Sequence, residues 1–212
     1  MKRIVIIPTY NECENVARMT DKVMSLDGAF DLLYVDDGSP DGTADIIRAK
    51  IAEYGDRVHL VERSGNEVLY LYKFEPFQHV INLTSHVGNS SPMYCTGVGK
   101  SILAQLSEQE LQEYWAATEI QSYTPTTITD LETMKQELEQ IRQRGYAIDD
   151  EEHDAGVRCL AAPIFDWEGN AIGAISISTP PSRLNESTIQ RLYPRLMETA
   201  AEISHLLGYV PK

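Results

Sequence analysis

The order of the predicted elements changes near residue 65, and this change constrains the fold more than any other feature of the sequence. Before it, apolar runs at Arg3–Ile7 and Asp31–Val35 predict strands, and amphipathic segments at Asn11–Leu26 and Thr43–Tyr54 predict helices. Arg57–Glu62 follows as a further strand candidate. This strand–helix–strand–helix–strand order is typical of parallel crossovers, so the first part predicts half of a doubly wound, half-Rossmann α/β sheet.

After Gly65 the predicted strands follow one another through short turns. Ser64-Gly65-Asn66 is typical of a hairpin turn before the strand Glu67–Lys73, and His79–Thr84 is a further strand candidate. A tight loop of residues 166–170 joins two more predicted strands, Arg158–Phe165 and Ala171–Ser178. Helices are predicted at Gly97–Leu106, Glu108–Ala117, from Thr129 or Asp130 to Arg144, and at Asn185–Leu207. The second part therefore predicts an α+β domain, an antiparallel sheet flanked by helices.

The composition argues against several classes of protein. The 212 residues carry a formal net charge of −14, with 42% hydrophobic residues, which favours neither disorder nor direct nucleic acid binding. The three cysteines are far apart, so they predict no disulfide framework and no metal site and favour a reducing cytoplasm. No apolar run approaches the roughly 18 residues of a membrane span. We expect no cofactor and no membrane partner.

Two motifs follow successive predicted strands in the first part. They are Ile6-Ile7-Pro8-Thr9-Tyr10-Asn11-Glu12 and Val35-Asp36-Asp37-Gly38-Ser39-Pro40-Asp41-Gly42-Thr43. Together they resemble the N-terminus of family 2 inverting glycosyltransferases of the dolichol-phosphate mannosyltransferase type. The resemblance implies that Pro8, Tyr10 and Glu12 line a base and ribose pocket and that Asp37 contacts the nucleotide. The metal site and the general base of that family have no counterpart after residue 65, so no catalytic residue is predicted.

The second of these motifs also has a simpler interpretation. Asp-Gly-Ser-Pro-Asp-Gly makes a good turn between a strand and a helix, with Ser39 or Asp41 as the helix cap. Residual nucleotide binding and a purely structural turn therefore both stay open for this segment.

A longer series of short motifs follows along the chain between Val58 and Tyr209. They are Thr96–Lys100 with Leu103-Ala104, Arg144–Tyr146, Asp149–Glu152, Gly156–Cys159, Ala161–Pro163, Ser176–Ser178, and Pro180 with Arg183. This series resembles the effector-binding domain of the IclR family of bacterial transcriptional regulators. The resemblance implies a domain that binds a small carboxylic or sugar acid and commonly pairs as a homodimer. By position it implies a ligand site formed by Gly97, Val98, Asp149, Cys159, Ser176 and Ser178.

The chemistry of these residues is consistent with an acid as the ligand. Backbone amides where a helix begins near Gly97 can bind a carboxylate, and Ser176 and Ser178 lie on one face of a strand. Structural interpretations stay open. Cys159 is also typical of a small core residue, and the acid-rich segment Asp149–Asp154 is typical of a solvated loop. His153 lies in that loop, but a single histidine rarely binds a metal, so no metal site is predicted.

The strand Val58–Arg63 agrees with both resemblances. We therefore predict a join within residues 58–65, with a glycosyltransferase-like piece at 1–62 and an effector-binding domain at 63–212. The winged helix-turn-helix of the IclR family has no counterpart here, so direct DNA binding is not expected. We interpret the chain as the sensing domain of a regulator fused, naturally or by engineering, to an incomplete enzyme fragment. A nucleotide-sugar-dependent glycosyltransferase and a structural chimera without retained function are the alternatives.

Overall fold

The computed structural model describes residues 3–24, 30–36, 38–46, 57–74 and 85–211. The chain divides into two compact units, Met1–Gly55 with Pro76–Asn82 and Asp56–Glu75 with Leu83–Lys212. Among the described residues, the first unit has a two-stranded sheet and the second a six-stranded sheet. The predicted strand His79–Thr84 and the predicted site residue Asp37 lie outside the described residues.

The first unit begins with a parallel crossover. Strand β1 (Arg3–Thr9) is followed by helix α1 (Val16–Met24) and strand β2 (Phe30–Asp36). The two strands pair in parallel from Arg3 opposite Phe30 to Thr9 opposite Asp36, which confirms the predicted α/β pattern over this segment. The helix begins at Val16, later than predicted, and Asn11, which was expected to cap it, has a left-handed φ of 55°. Its amide instead donates to the Ser39 hydroxyl (3.0 Å) in the loop after β2.

The second unit contains one antiparallel sheet. Its strands are β3 (Arg57–Ser64), β4 (Glu67–Phe74), β5 (Ser90–Pro92), β6 (Ala147–Asp150), β7 (Arg158–Phe165) and β8 (Ala171–Thr179). The spatial order is β5-β4-β3-β8-β7-β6, and every neighbouring pair is antiparallel. Both predicted hairpins are present, and the β3–β4 turn contains Gly65 with a φ of 64°. The predicted α+β architecture is confirmed.

The pairing of β3 corrects one sequence expectation. Arg57–Glu62 was expected as the third strand of a parallel half-sheet, and this expectation is wrong. Residues 58–64 pair antiparallel with β4, and residues 57–62 pair antiparallel with β8. The whole strand therefore belongs to the second unit, which begins at Asp56. Local periodicity predicted the strand, but only its pairing partners fix its direction.

Four α-helices complete the second unit. They are α2 (Gly97–Leu103), α3 (Glu108–Ala117), α4 (Leu131–Arg144) and α5 (Glu186–Leu206), with a 3₁₀ turn at Pro181–Arg183. The predicted ends of α4 are confirmed: the Asp130 side chain accepts from the Thr133 amide, and Gly145 ends the helix with a φ of 84°. Among the described residues, none of the helices combines the length and the apolarity needed to cross a bilayer.

The two faces of the sheet pack against different helices. Alternate side chains of β3, β4, β6, β7 and β8 form one core with α2, α3 and α4, and the intervening side chains of β3, β6, β7 and β8 form a second core with α5. Gly99 brings α2 close to the preceding segment, since a Cβ atom there would lie only 2.2 Å from the Met93 Cα. The start of α2 lies directly over the sheet, since a Cβ atom on Gly97 would lie 3.3 Å from the Cys159 Cβ on β7.

Candidate functional site

A small cavity lies between the start of α2 and the sheet. Its volume of about 30 Å³ exceeds the ~10–15 Å³ that one ordered water needs. It is lined by His59, Tyr70, Ser85, Thr96, Gly97, Val98, Asp149, His153, Asp154, Val157, Cys159, Ser176 and Ser178. All the residues that the sequence predicted for a small-acid site line this cavity, namely Gly97, Val98, Asp149, Cys159, Ser176 and Ser178. The structure therefore brings these distant residues together.

A row of polar side chains crosses four neighbouring strands beneath the cavity. In register, Asp149 on β6 lies opposite Cys159 on β7, Cys159 lies opposite Ser178 on β8, and Ser176 lies opposite His59 on β3. The Ser178 hydroxyl donates to the Cys159 Sγ at 3.1 Å. The imidazole of His59 contacts both serines, with Nδ1 at 3.3 Å from the Ser178 Oγ and 3.5 Å from the Ser176 Oγ. Hydroxyl, thiol, imidazole and carboxyl groups thus face one space.

The first turn of α2 provides backbone donors above this row. Thr96 caps the helix, and its hydroxyl accepts from the Gly99 amide at 3.2 Å. The amides of Gly97 and Val98 precede that bond and have no acceptor within the helix. Gly97 has no side chain to separate the helix from the sheet; a Cβ atom there would lie 3.3 Å from the Cys159 Cβ. A ligand oxygen in the cavity can therefore approach these amides.

Burial changes the ionisation of the acids in the cavity. Burial raises the pKa of Asp149 to about 7, and the nearby Glu152 carboxylate adds to this rise. The hydrogen bond from the Glu152 amide acts in the opposite direction and lowers the pKa. That amide donates to the Asp149 Oδ1 at 2.8 Å. Burial also raises the pKa of the Cys159 thiol well above its usual value, and the Asp149 carboxylate adds to this rise. Cys159 is therefore a neutral thiol, and Asp149 exchanges a proton near neutral pH.

The acid-rich segment after β6 is not a solvated loop. Asp149 and Glu152 are each 4% exposed, so the expectation of a solvated face is wrong for these two side chains. Lys100 of α2 is also buried and forms an ion pair with Glu152 and a longer one of 3.4 Å with Glu137. The Thr127 hydroxyl holds the same loop through the Glu152 carbonyl at 2.6 Å. The loop is therefore fixed over the cavity by a buried cation.

Six polar residues that line the cavity were not predicted as site residues from the sequence: His59, Tyr70, Ser85, Thr96, His153 and Asp154. His59 was considered only as part of a strand pattern, although a histidine at an inward position of a strand is a signal for a polar site. The Ser85 hydroxyl lies 3.1 Å from its Nε2. The Tyr70 ring meets the imidazole edge to face, with the ring centroids 5.5 Å apart. Finding these residues required the register of β3 against β4 and β8.

The residues predicted for a nucleotide site lie in the first unit. Pro8 and Tyr10 are exposed, with 60% of Tyr10 accessible, and Glu12 is partly buried. The amide of Glu12 donates to the Thr43 Oγ1 at 2.8 Å. The position of Asp37 lies outside the described residues.

The aspartates on either side of Ser39 hold the turn after β2. Asp36 accepts from the Ser39 amide (3.0 Å), and Asp41 accepts from the Thr43 amide (3.0 Å). Bonds from Ser39 and from Thr43 lower the pKa of Asp36 and of Asp41, respectively. These contacts support the structural interpretation of the turn. Within the described ranges, no cluster of three or more His, Cys, Asp or Glu side chains is arranged to hold a metal ion.

Family models match both parts of the chain. The model described as "Bacterial transcriptional regulator IclR C-terminal" matches residues 45–205, and the model for "Glycosyl transferase family 2" matches residues 4–70. Among curated proteins, the chain is similar to the HTH-type transcriptional repressor AllR of Escherichia coli K12. The identity is 37% over 154 residues, which is 73% of this chain and 56% of the relative. The chain therefore spans little more than half the length of the curated relatives it matches.

Solved structures support the same relationship. The crystal structure of Thermotoga maritima IclR has a TM-score of 0.70 and 41% identity, covering 78% of this chain and 67% of that chain. The Agobacterium tumefaciens repressor BlcR has a TM-score of 0.67 and 32% identity, covering 74% of this chain and 61% of that chain. The inducer-binding domain of an Acinetobacter PobR double mutant, solved with 3-hydroxybenzoic acid, has a TM-score of 0.65 and 27% identity over 71% of this chain and 89% of that chain.

Proposed function

Because the chain belongs to the IclR family of bacterial transcriptional regulators and carries its C-terminal effector-binding domain, we propose that the cavity under α2 binds a small carboxylic or sugar acid. The observation that carries the proposal is the meeting of Gly97, Val98, Asp149, Cys159, Ser176 and Ser178 around one cavity. The match covers only 56% of the AllR relative. That the whole protein controls transcription is therefore also proposed here.

The groups around the cavity suit an acid. The amides of Gly97 and Val98 at the start of α2 and the Ser176 hydroxyl can donate to carboxylate oxygens. Asp149, with a pKa near 7, can hold a proton beside the ligand, which avoids the repulsion between two carboxylates. The volume of about 30 Å³ favours the shortest acids. The PobR domain, solved with 3-hydroxybenzoic acid, gives an example of a similar domain with a hydroxy acid.

Thermal unfolding with a panel of acids tests this proposal. The panel contains glycolate, glyoxylate, lactate, gluconate and 3-hydroxybenzoate, with glycolamide as an uncharged control. Both tryptophans, Trp115 and Trp167, lie in the second unit, so tryptophan fluorescence reports its unfolding alone. An acid at 100 times its Kd should add about 2.7 kcal/mol to the free energy of unfolding. No stabilisation by any acid, in a folded sample, contradicts the proposal.

Substitutions at the serines test the location of the site. Ser176→Ala and Ser178→Ala each remove a hydroxyl that lines the cavity, and we expect each to weaken binding of the stabilising acid about tenfold. Ser187→Ala is the matched control, because Ser187 is exposed at the start of α5. If all three variants bind the acid equally well, the acid binds at a different site.

Gly97→Ala tests the close approach of α2 to the sheet. The new methyl group would lie 3.3 Å from the Cys159 Cβ and 3.4 Å from the Asp149 Cβ, tight but without a backbone clash. We expect a folded protein that has lost acid binding, measured by isothermal titration. Retained affinity would place the ligand away from these atoms.

Two further properties belong to this proposal. We propose that the protein forms a homodimer or a higher oligomer in the cytoplasm, as the family resemblance and the wide spacing of the three cysteines suggest. Light scattering of the purified protein tests the dimer, and a monomer at micromolar concentration contradicts it.

For the first unit, residual nucleotide binding at Pro8, Tyr10, Glu12 and Asp37 is supported by the match to a glycosyltransferase family model over residues 4–70. Titration with GDP or UDP in the presence of Mn²⁺ tests this binding. Binding that is lost in Asp37→Ala supports the assignment, and the absence of binding in the wild type ends it.

A further inference from the structure

His59 is a buried side chain at the centre of the cavity that the proposed function does not use. Its exposed fraction is 3%, and it lies on β3 directly opposite Ser176. Its two ring nitrogens face three hydroxyl groups of the cavity. Nε2 lies 3.1 Å from the Ser85 Oγ, and Nδ1 lies 3.3 Å from the Ser178 Oγ and 3.5 Å from the Ser176 Oγ. The imidazole therefore lies between Ser85 on one side and the two serines of β8 on the other.

The hydrogen bond of Ser178 fixes the direction of the others. A hydroxyl group has one hydrogen, and Ser178 donates it to the Cys159 Sγ at 3.1 Å. Ser178 can then only accept from His59, so Nδ1 must carry a hydrogen. In a neutral imidazole with Nδ1–H, the other nitrogen is an acceptor, and Ser85 donates to Nε2. With a neutral imidazole the bonds run in one direction, from Ser85 through His59 and Ser178 to Cys159.

This direction leaves one donor for the ligand. Ser176 accepts from the same Nδ1–H over the longer distance of 3.5 Å, which leaves its own hydrogen available to the cavity. An acceptor at Nδ1 would instead attract the hydrogens of both serines away from a ligand. The tautomer of His59 thus decides whether this wall of the cavity offers a hydrogen or a lone pair.

We infer that His59 is a positioning residue of the effector site, which orients the Ser176 and Ser178 hydroxyls so that the cavity selects an anionic oxygen ligand. This inference rests on the proposed function for its ligand class. It adds a specificity-determining residue on β3, which lies outside the strands and helix that carry the predicted site residues. The hydrogen-bond direction itself is a property of the unliganded protein and can be measured without a ligand.

Two substitutions of His59 separate positioning from packing. Asn can place an amide N–H close to the position of Nδ1, whereas Leu fills a similar space without a donor. With glycolate as the probe, we expect His59→Leu to weaken binding at least tenfold, and His59→Asn to stay within about threefold of the wild type. His205→Leu is the control, since His205 is exposed near the end of α5. Tryptophan-detected unfolding checks that each variant is folded.

Equal losses in the Asn and Leu variants would overturn the inference, because packing or charge would then explain the effect. Unchanged binding in the Leu variant would overturn it as well. These results leave the proposed function intact, since the wild type still binds the acid.

A nitrogen NMR experiment decides the hydrogen-bond direction in the absence of any acid. Imidazole ¹⁵N shifts distinguish the two neutral tautomers, and the signal that disappears in His59→Asn identifies His59 among the five histidines. We expect the Nδ1–H tautomer in the wild type and a loss of this preference in Ser178→Ala. An Nε2–H tautomer in the wild type overturns the inference. If no acid binds, the proposed function fails, and this measurement still decides the role of His59.

Discussion

The ionisation of one buried carboxyl group, that of Asp149, determines the charge of the cavity wall at that position. Asp149 is 4% exposed, lies beside a neutral thiol, and accepts a hydrogen bond from the Glu152 amide. Because its pKa is about 7, its charge changes around neutral pH. A protonated Asp149 can donate to a bound acid, whereas an ionised one repels it.

This ionisation predicts a pH dependence of stability. Burial raises the pKa of Asp149 from 3.8 to about 7, so the folded state binds more protons than the unfolded state between these values. The stabilisation is complete below pH 3.8 and is lost as the pH rises through 7. From this group alone, we expect the free energy of unfolding to fall by up to about 1.4 kcal/mol per pH unit between pH 5 and 7.

Urea unfolding followed by tryptophan fluorescence at several pH values measures this slope. The matched variant Asp149→Asn keeps the size of the side chain and removes its titration. Its stability should change less with pH than that of the wild type over the same range. Parallel curves for the two proteins would assign the slope to other groups, such as Glu152, whose pKa burial also raises.

The residues of the site differ in how far the sequence could predict them. The motifs identified Asp149, Cys159 and the two serines, and the structure brings these side chains to one cavity. His59 was missed because its partner Ser178 is 119 residues away in the chain. Periodicity within one strand indicates which residues share a face, but it contains no information about the neighbouring strand.

At the scale of the elements, helix α2 depends on a buried ion pair. Lys100 is 1% exposed, and its ammonium group contacts Glu152 in the loop after β6 and Glu137 on α4. Glu137 also pairs with Arg144 at 2.8 Å. This network connects the helix above the cavity to the loop beside it. A buried charge that loses its partner is strongly unfavourable, so each member depends on the others.

Removal of Lys100 should therefore destabilise the second unit. We expect Lys100→Met to lower the free energy of unfolding by about 3 kcal/mol or more, because Glu152 is left buried without its cation. Lys135→Met is the matched control: Lys135 pairs with Glu108 and Glu132 near the surface, where such pairs contribute about 0–1 kcal/mol. Urea unfolding detected by tryptophan fluorescence compares the two variants.

A double variant completes this experiment. Lys100→Met combined with Glu152→Gln removes the unpaired charge, and we expect it to recover part of the lost stability. Equal stability of the Lys100 and Lys135 variants would show that the buried pair does not hold the helix.

The elements were predictable where local chemistry determines them. Asp130 and Gly145 mark the ends of α4, and Gly65 marks the β3–β4 turn, because caps and turns depend on neighbouring residues. The strands β5 and β6 are only 3 and 4 residues long and lie at the edges of the sheet. Strands this short have too few residues for an alternating pattern, so only their partners reveal them.

At the scale of the whole molecule, the chain has two compact units with separate sheets. The first unit exposes apolar side chains on its strands, including 61% of Ile6 and 52% of Val35. The second unit packs helices against both faces of its sheet, although Leu71 and Tyr72 on β4 stay exposed. The sequence predicted both patterns of elements. It could not decide which sheet contains β3, because the strand agrees with either pattern until its pairing is known.

Two compact units with separate sheets predict two unfolding transitions. Trp115 and Trp167 both lie in the second unit, so tryptophan fluorescence should follow one transition, whereas far-ultraviolet circular dichroism should follow both. Asp149→Asn and any acid that binds the cavity should shift only the fluorescence transition, because their interactions lie within the second unit. The remaining dichroism transition, from the first unit, should keep its midpoint. Coincident transitions that move together would instead mean that the two units unfold as one cooperative body, and the second unit would then owe part of its stability to the first.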